Sequence, residues 1–297
     1  MPLEFTIKTP SNFSLETAVR GHGWYDLSPF VWSPEERSLS YVFRCSKGKN
    51  VAKGTIAESK GGLAVRLERN SVEQDKAERD IRHILRLDDD MRDFYEVSSS
   101  VEGTRWVAGR GAGRLLRSAT VFEDMVKTLC TTNCSWSLTR KMVGNLVEKL
   151  GEPAGRGARA FPTVKAMAAV DEGFYRNEIK AGYRSPFFVE LSQKVAGGEL
   201  DPETFLTSDL PTPELKKEIK TIKGFGDYAA DNLLKLLGRN DGLALDSWLR
   251  SRFYQKHNKG KVCPDKKITK HYSKYGKWQG LMIWCDMTED WFEDNQT

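Results

Sequence analysis

The stretch that most restricts the fold is TIKGFGDYAADNLLKLLG, residues 221 to 238, in which Gly224 and Gly226 flank one phenylalanine between two helical patterns. PELKKEIKTI before it and DYAADNLLKLL after it both space their apolar residues as a helix does. Only about four residues separate the two patterns, and a turn this short needs residues that can adopt positive φ, as glycine does without a Cβ penalty. The pattern predicts two helices joined by a tight hairpin.

The start of the second helix is also a candidate anion site. The free N–H groups of Gly224 and Gly226 can point outward together, and the helix dipole adds partial positive charge there. A phosphate fits such a place. A helix joint without a ligand has the same local pattern, so the hairpin alone leaves both interpretations open.

Apolar periodicity divides the chain into a sheet-bearing part and a helical part. The segments LEFTIK, LSYVFRC and LAVRLERN, separated by Gly, Ser and Pro clusters, predict an antiparallel sheet within residues 3–70. VFEDMVKTL and SWSLTRKMVGNLVEKLG predict a buried helical hairpin. Further helices are predicted at about 163–170, 184–197, 212–222, 227–238, 247–257 and 277–287. We therefore predict an α+β fold with an N-terminal antiparallel sheet domain, residues 1–110, and a mostly α-helical domain, residues 111–297.

Charge and cysteine usage restrict the class of protein. Lys and Arg exceed Asp and Glu by 46 to 41, which suits an anionic partner without requiring one. Eight lysines against one acid between residues 255 and 277 could contact phosphates or form a solvated face. Five cysteines without C-x-x-C spacing argue against a disulfide framework or a structural zinc site. Because no signal pattern or membrane-length apolar run is present, we expect a soluble intracellular protein, in the cytoplasm and nucleoid or in a nucleus. We also expect it to be a monomer.

Asp246 opens a new helix in GRNDGLALDSWLRSRF, shortly after the hairpin. The local pattern indicates an N-cap. A carboxylate fixed at a helix start by the apolar Leu243, Ala244 and Leu245 would also be oriented and only partly solvated, as a charge-stabilising group must be. Capping and catalysis are compatible, so Asp246 is the candidate catalytic residue.

IKGFGDYAADNLLKLLG and LALDSWLR together resemble the signature of the helix-hairpin-helix (HhH-GPD) DNA glycosylases, which end their motif with a Gly/Pro-rich loop and an aspartate. VFEDMVKTLCTTNCSWSLTRKMVGNLVEKLG is similar to the first core helices of that family, FPTVKAM and AGYRSPFFVELSQKV to the segments between, and YGKWQGLMIWCDM to the closing helix. With the N-terminal sheet, the layout most resembles the 8-oxoguanine and 3-methyladenine type II branch, over nearly the whole chain.

The resemblance implies a base excision repair enzyme that flips a damaged base out of double-stranded DNA and hydrolyses its N-glycosidic bond. Asp246 would stabilise positive charge on the sugar and help to position water, because the reaction passes through an oxocarbenium-like state. Members that also nick the strand carry a lysine two residues after the second hairpin glycine. Tyr228 stands there, so we expect a monofunctional enzyme without AP-lyase activity.

The resemblance also implies the DNA contacts. The phosphate-gripping hairpin maps to Lys223, Gly224, Phe225, Gly226, Asp227 and Tyr228. Asn133 in TTNCSW would enter the gap left by the flipped base, although a turn residue before a helix is an equal interpretation. Arg184 in GYRS would contact the unpaired base or its phosphates. Backbone carbonyls of Lys220, Ile222 and Phe225 could hold Na⁺ or K⁺, and no iron–sulfur cluster is expected because the cysteine quartet of other branches is missing.

Trp24, Tyr183 and Trp248 are the candidate walls for the flipped base, although each alone would more often belong to a core. Where 8-oxoguanine enzymes carry a polar reader and an aromatic stacker on the last helix, this chain has Ile283 and Met287. An aromatic cleft can favour cationic, labile bases by cation–π attraction, so an alkylated or deaminated purine is the expected substrate. The alternatives are 8-oxoguanine, or a non-catalytic protein that uses the hairpin only to grip DNA.

Overall fold

A five-stranded antiparallel sheet lies near the N-terminus of the computed structural model, which describes residues 1–155 and 157–292. Its strands are β1 (Leu3–Lys8), β2 (Val31–Ser33), β3 (Ser38–Arg44), β4 (Val51–Ser59) and β5 (Gly62–Leu67), in the spatial order β1-β5-β4-β3-β2. In β5 the buried Leu63, Val65 and Leu67 alternate with exposed side chains, so one face of the sheet packs against the protein interior. The predicted antiparallel sheet is confirmed.

The central strand β4 was not predicted. Its sequence VAKGTIAES contains Gly54, which weakens a strand pattern. A Cβ atom at this position would lie 2.6 Å from Phe43 Cε2 and 2.8 Å from Leu67 Cδ2. The side chains of the two neighbouring strands therefore fill the space above Gly54, and this packing depends on contacts that the local sequence does not reveal.

Helices make up most of the remaining chain. The α-helices are α1 (Leu15–Arg20), α2 (Gln74–Ile84), α3 (Arg92–Ser99), α4 (Arg105–Gly109), α5 (Val121–Thr131), α6 (Trp136–Leu150), α7 (Val164–Ala168), α8 (Glu172–Phe174), α9 (Ser185–Ala196), α10 (Thr212–Lys220), α11 (Asp227–Leu236), α12 (Ser247–His257), α13 (Asp265–Tyr272) and α14 (Gln279–Met287). Two short strands, β6 (Pro153–Gly155) and β7 (Ala158–Arg159), pair after α6. The predicted helix-rich body is confirmed. Within the described residues, no helix has the length and apolar character needed to cross a membrane.

The buried side chains form two main groups, and they divide the chain differently from the predicted boundary at residue 110. One group joins the sheet and α2 to the helices α5 to α11. The other joins residues 91–115, which include α3 and α4, to the C-terminal helices α12 to α14. Phe94 and Val107 of this second group are fully buried beside the C-terminal elements, so residues 91–110 pack with the end of the chain rather than with the sheet.

A buried ion pair connects the sheet to the helical body. Lys127 and Glu123 lie one turn apart on α5, and Lys127 Nζ is 2.7 Å from Glu123 Oε1, an ion pair without hydrogen-bond alignment. The Tyr41 hydroxyl on β3 donates to Glu123 Oε2 at 2.7 Å. Lys127 also lies over the ring of Phe30, 4.6 Å from its centroid. Because these groups are buried, each charge depends on the other for compensation.

Replacing Lys127 with methionine is expected to lower the free energy of unfolding by about 3–5 kcal/mol, because Glu123 would keep an uncompensated charge in the interior. Urea denaturation measures this loss. Lys149→Met is the control, since Lys149 pairs with Glu178 at the surface, 3.2 Å away, and such a pair contributes about 0–1 kcal/mol. Equal stability of the two variants would contradict the role assigned to the buried pair.

Candidate functional site

The two hairpin glycines have different structural roles. Gly224 adopts φ +90°, and a Cβ atom there would lie 2.7 Å from Phe187 Cδ2 and 2.8 Å from Leu129 Cδ2. Gly226 is extended, with φ −76° and ψ −172°, and no described atom lies within 4 Å of the position of its missing Cβ. Gly224 therefore lets the turn pack against α5 and α9, whereas Gly226 leaves open space at the start of α11. The predicted helix pair is present, but only Gly224 requires positive φ.

The hairpin offers backbone donors rather than a cluster of free side chains. Among the described residues, the N–H groups of Gly224 and Gly226 have no recorded acceptor. Phe225, which maps to the predicted phosphate-gripping hairpin, has a buried side chain because the turn packs it into the core, and its N–H donates to the Ile222 carbonyl at 3.0 Å. Lys223 is exposed and pairs with Glu190 at 3.3 Å. The geometry suits an anion held by the turn backbone.

Two other groups of the predicted hairpin, the Asp227 carboxylate and the Ile222 carbonyl, already make contacts within the protein. The Asp227 carboxylate is paired with Lys220 at 2.9 Å and with Lys216 at 3.3 Å, so its charge at the helix start is compensated. The Ile222 carbonyl already accepts a hydrogen bond, which leaves one lone pair for a cation. A monovalent cation at the carbonyls of Lys220, Ile222 and Phe225 stays a prediction.

Asp246 is the N-cap of α12, as the sequence predicts. Its Oδ1 accepts a hydrogen bond from the Leu249 N–H at 2.7 Å. The preceding Leu243 and Ala244 are buried, and Ala244 adopts φ +48°, so the loop that carries the carboxylate is fixed by packing. Asp246 is half-buried and lines a cavity of about 770 Å³. One oxygen of the Asp246 carboxylate is held by a hydrogen bond, which orients the group. The carboxylate thus borders a cavity whose volume is typical of small-molecule binding sites.

The walls of this cavity are mainly aromatic. They contain Trp24, Tyr25, Trp136, Tyr228, Trp248, Trp284 and Trp291. Of the three predicted base walls, the structure brings Trp24 and Trp248 to the cavity beside Asp246. The ring centroids of Trp248 and Trp284 lie 5.8 Å apart, and those of Trp248 and Trp291 lie 5.7 Å apart. Flat aromatic surfaces around one cavity can hold a planar, heteroaromatic guest.

Trp24 is a fixed part of the wall. Its Nε1 donates to Asp124 Oδ1 at 2.7 Å, and the same oxygen accepts from the Ser118 N–H at 2.8 Å. Burial raises the pKa of Asp124 against the lowering effect of these hydrogen bonds. Because Trp24 is itself buried, it mainly determines the shape of the cavity, and little of its ring is exposed for stacking with a bound base.

Asn133 lies in the loop between α5 and α6, at the rim of the cavity. It is exposed and adopts φ +45°, a conformation that asparagine tolerates better than most residues. Thr131, Cys134 and Trp136 on either side of it line the cavity. The structure therefore places the candidate wedge residue beside the candidate base site.

Arg184, predicted to contact the unpaired base or its phosphates, is buried in the structure. Only 3% of it is accessible, because its guanidinium is used to hold the loop: it donates to the Thr132 carbonyl, to Thr132 Oγ1 at 3.1 Å and to the Ala181 carbonyl at 3.4 Å. Contact with a phosphate would require breaking these bonds. We therefore correct its assignment from a DNA contact to a residue that positions the Asn133 loop.

Tyr183 also differs from its predicted position, since it does not line the cavity. It is 49% exposed, its hydroxyl lies 3.4 Å from Asn133 Nδ2, and its ring lies against the Arg184 guanidinium. The cause is the short 3₁₀ turn at Gly182–Arg184, which directs Tyr183 towards the loop rather than the cavity. Together with Trp136, Tyr228 and Trp248, it is one of the exposed aromatic side chains in the described chain, and all four surround the cavity or the Asn133 loop.

Sequence reasoning selected the wrong residues on the last helix. Ile283 and Met287 are fully buried and do not line the cavity, whereas Trp284 does. The Trp284 Nε1 donates to the Gly21 carbonyl at 2.7 Å, which fixes the ring. Successive residues on a helix point about 100° apart, so a shift of one position changes which side chain faces a site. His22, which also lines the cavity, had no sequence signal because glycines surround it.

Tyr228 lies both at the start of α11 and in the cavity wall. Burial raises the pKa of its phenol, a hydrogen bond to Thr131 opposes this, and the negative charge of Asp246 raises the pKa further. The phenol is therefore neutral at physiological pH.

The lysine-rich segment 255–277 is ordered in part by ion pairs. Lys256 pairs with Asp286 at 2.8 Å, and Lys277 pairs with Asp93 at 2.7 Å. Lys259, Lys261, Lys266 and Lys270 are exposed, and none has an ion pair recorded among the described residues. α13 was not predicted within this segment, because only Ile268 and Tyr272 mark its buried face.

A separate cluster of histidines and a carboxylate ties α12, α13 and α14 together. The Asp286 carboxylate accepts from the Tyr272 hydroxyl and contacts His257 Nε2 at 2.6 Å, with His271 close by. Burial pushes the pKa of Asp286 up, but its hydrogen bonds with His257, Lys256 and Tyr272 outweigh burial and lower the pKa to about 2. With its oxygens occupied by these donors, Asp286 has a structural role in helix packing.

No protein-family model matches the sequence, and no curated protein matches it. Solved structures do match. The chain is similar to a 3-methyladenine DNA-glycosylase from Archaeoglobus fulgidus, with 18% identity, 99% of each chain covered and a TM-score of 0.76. It is similar to an 8-oxoguanine glycosylase/lyase from Clostridium acetobutylicum, with 19% identity, 96% of this chain and 98% of that chain covered and a TM-score of 0.71.

A third similar structure is the 3-methyladenine DNA glycosylase of Schizosaccharomyces pombe in complex with abasic DNA. It has 18% identity and a TM-score of 0.52, with 69% of this chain and 98% of that chain covered. At these identities the likeness shows the fold. The chain has the fold of the first two of these proteins over nearly its whole length. It is an α+β fold with a sheet followed by a helical body that contains the hairpin, and the predicted fold class is confirmed.

Proposed function

We propose that the protein is a base excision repair DNA glycosylase, which binds duplex DNA, flips a damaged base into the aromatic cavity and hydrolyses its N-glycosidic bond. The observation that carries the proposal is the position of Asp246. Its carboxylate is fixed by the Leu249 N–H, borders the cavity and lies one short loop beyond the hairpin. All of these residues come from a single chain, so we propose that the protein acts as a monomer.

The chemistry follows from this position. Cleavage of an N-glycosidic bond develops positive charge on the sugar, and a nearby carboxylate stabilises that charge. One oxygen of Asp246 is held by the helix, which leaves the other to face the sugar and to position water. The aromatic walls stack the flipped base and displace water from it, which strengthens the electrostatic effect of the carboxylate.

The surface around the cavity supports binding of a nucleic acid strand. Backbone N–H groups of the hairpin can accept a phosphate, and Gly226 leaves room for the strand to approach. Asn133 is exposed beside the cavity-lining Thr131 and Cys134, and this supports the proposal that it enters the gap left by the flipped base. The similar structures named above are DNA glycosylases, and one was solved with abasic DNA, which adds support to this assignment.

The substrate that we propose is an alkylated or otherwise modified purine, with 8-oxoguanine as the alternative. A panel of duplex oligonucleotides, each with one modified base, tests the activity when alkali is added after incubation to cleave abasic sites. We expect strand cleavage for at least one lesion and none for the undamaged duplex. Binding to every duplex without any abasic site would instead support a non-catalytic DNA-binding protein.

We predict that the enzyme lacks AP-lyase activity, because Tyr228 offers no amine for a Schiff base. Borohydride added during the reaction should therefore trap no covalent protein–DNA adduct. Tyr228→Lys supplies the amine at this position and is the positive control for the trapping step. An adduct with the wild-type protein that disappears when one of its lysines is replaced would contradict the prediction.

A further inference from the structure

We propose that the cavity selects modified bases that carry no charge, and that Lys235 sets this preference from behind Trp284. This inference rests on the proposed glycosylase function and narrows its substrate class. It reverses the sequence-based expectation that an aromatic cleft would favour cationic bases, because the structure shows a cation already placed against one of the aromatic walls.

Lys235 is a buried cation whose one recorded contact within the described residues is an aromatic ring. It lies on α11, only 3% of it is accessible, and among the described residues its Nζ has no hydrogen-bond partner and no ion pair. Nζ lies 4.2 Å from the centroid of the Trp284 ring. A buried ammonium that forms no hydrogen bond is costly, so the cation–π contact is its main compensation.

Trp284 connects this ammonium to the base site. Its ring lines the cavity, and its Nε1 hydrogen bond to the Gly21 carbonyl keeps it in place. Lys235 itself does not line the cavity. The electron-rich ring that would attract a cationic base therefore already interacts with the protein's own ammonium, whose charge repels a cationic base.

Two carboxylates, those of Asp246 and Asp231, offset the charge of Lys235 only in part. Asp231 on the same helix is 2.7 Å from Lys216, and Asp246 caps α12. Lys127 and Glu123 on α5 pair with each other. His22 is neutral, because burial, followed by the charges of Lys235, Lys127 and Arg86, lowers its pKa to about 3. Burial lowers the pKa of Lys235 to about 8 against the opposing effect of Asp246 and Asp231, so the ammonium is largely protonated at pH 7.

The expected discrimination is substantial. A base stacked on Trp284 at about 3.5 Å would place its centre roughly 8 Å from Nζ. Two positive charges at that distance and an effective dielectric constant of about 20 repel enough to weaken binding roughly 30-fold. An uncharged base escapes this repulsion and still stacks on the aromatic walls. The favoured class is therefore uncharged purine lesions, such as deaminated or oxidised bases.

The test compares single-turnover release of hypoxanthine, which is uncharged, with release of 3-methyladenine, which is cationic in DNA, by the full-length protein. Because the cationic base is the better leaving group in any environment, the informative quantity is the change in the 3-methyladenine to hypoxanthine rate ratio on mutation. Lys235→Met should raise this ratio roughly 30-fold. The surface variant Lys149→Met should leave it unchanged.

A pH series provides a second readout, which is measured on the wild type and then compared with Lys235→Met. In the wild type, the ratio should rise between pH 7 and pH 9, as Lys235 loses its proton near its pKa of about 8, and this rise should be absent in Lys235→Met. Release of both bases with a ratio that neither the substitution nor pH changes would overturn the inference and leave the glycosylase function intact. Release of no base from any modified duplex would overturn the proposed function, and the inference with it.

Discussion

Replacing Asp246 with asparagine should reduce base release by about 10²–10³-fold or more, the range seen when a single charge-stabilising group is removed from an active site. Asparagine is as good an N-cap as aspartate, so it can still accept the Leu249 N–H and α12 should keep its start. The loss should therefore appear in the chemical step and not in folding. Single-turnover kinetics with a releasable lesion, together with DNA binding and thermal unfolding of the variant, measure the three effects separately.

Asp290→Asn is the matched control, because Asp290 is another carboxylate that lines the cavity, but it pairs with Arg252 at 2.6 Å. It should retain activity close to that of the wild type. If Asp246→Asn released bases as fast as the wild type, the carboxylate would have no part in the reaction. If it lost thermal stability and DNA binding as well as activity, the carboxylate would be needed for the fold rather than for the chemical step.

Local sequence signals identified the elements whose positions depend on nearby residues. The hairpin glycines, the N-cap at Asp246 and the helices that flank them are all specified within about ten residues, through backbone conformation and capping. Trp248 was proposed as a base wall from the resemblance and from stacking chemistry, and its place two residues after the cap brings it to the same cavity as the carboxylate. Trp24 was added by resemblance, and the structure brings it to the same cavity from the N-terminal part of the chain.

The predictions that failed concern side chains whose surroundings are formed by residues far away in the sequence. Arg184 is a charged residue in a turn, and the sequence cannot show that the Thr132 carbonyl, 52 positions away, will accept its hydrogen bonds. The burial of Lys235 opposes its usual preference for the surface, and it becomes visible only when α11 and α14 come together. Strand β4 was not predicted because Gly54 weakens its sequence pattern. The phenylalanine and leucine that pack over Gly54 belong to other strands, so the local sequence does not reveal this packing.

The second large effect concerns the hairpin, where alanine at two nearby positions should have opposite consequences. Gly224→Ala should destabilise the protein by roughly 2–5 kcal/mol, the sum of about 1–2 kcal/mol for an L-residue at positive φ and about 1–3 kcal/mol for overpacking. The overpacking follows from Phe187 and Leu129, whose side chains would lie 2.7 Å and 2.8 Å from the new Cβ. Thermal or urea unfolding measures the loss.

Gly226→Ala should leave the fold intact, because its extended backbone suits alanine and no described atom lies within 4 Å of the added Cβ. The methyl group would instead occupy the space that a DNA strand needs to reach the hairpin N–H groups. Loss of one or two such charge-assisted hydrogen bonds, at about 1.5–3 kcal/mol each, should weaken binding to duplex DNA by at least about 10-fold. Fluorescence anisotropy with an abasic duplex measures the change. If a stable Gly226→Ala protein bound DNA with unaltered affinity, the DNA strand would not approach this turn. The reason is that a methyl group at residue 226 would stand between the backbone amides of the turn and a phosphate bound to them.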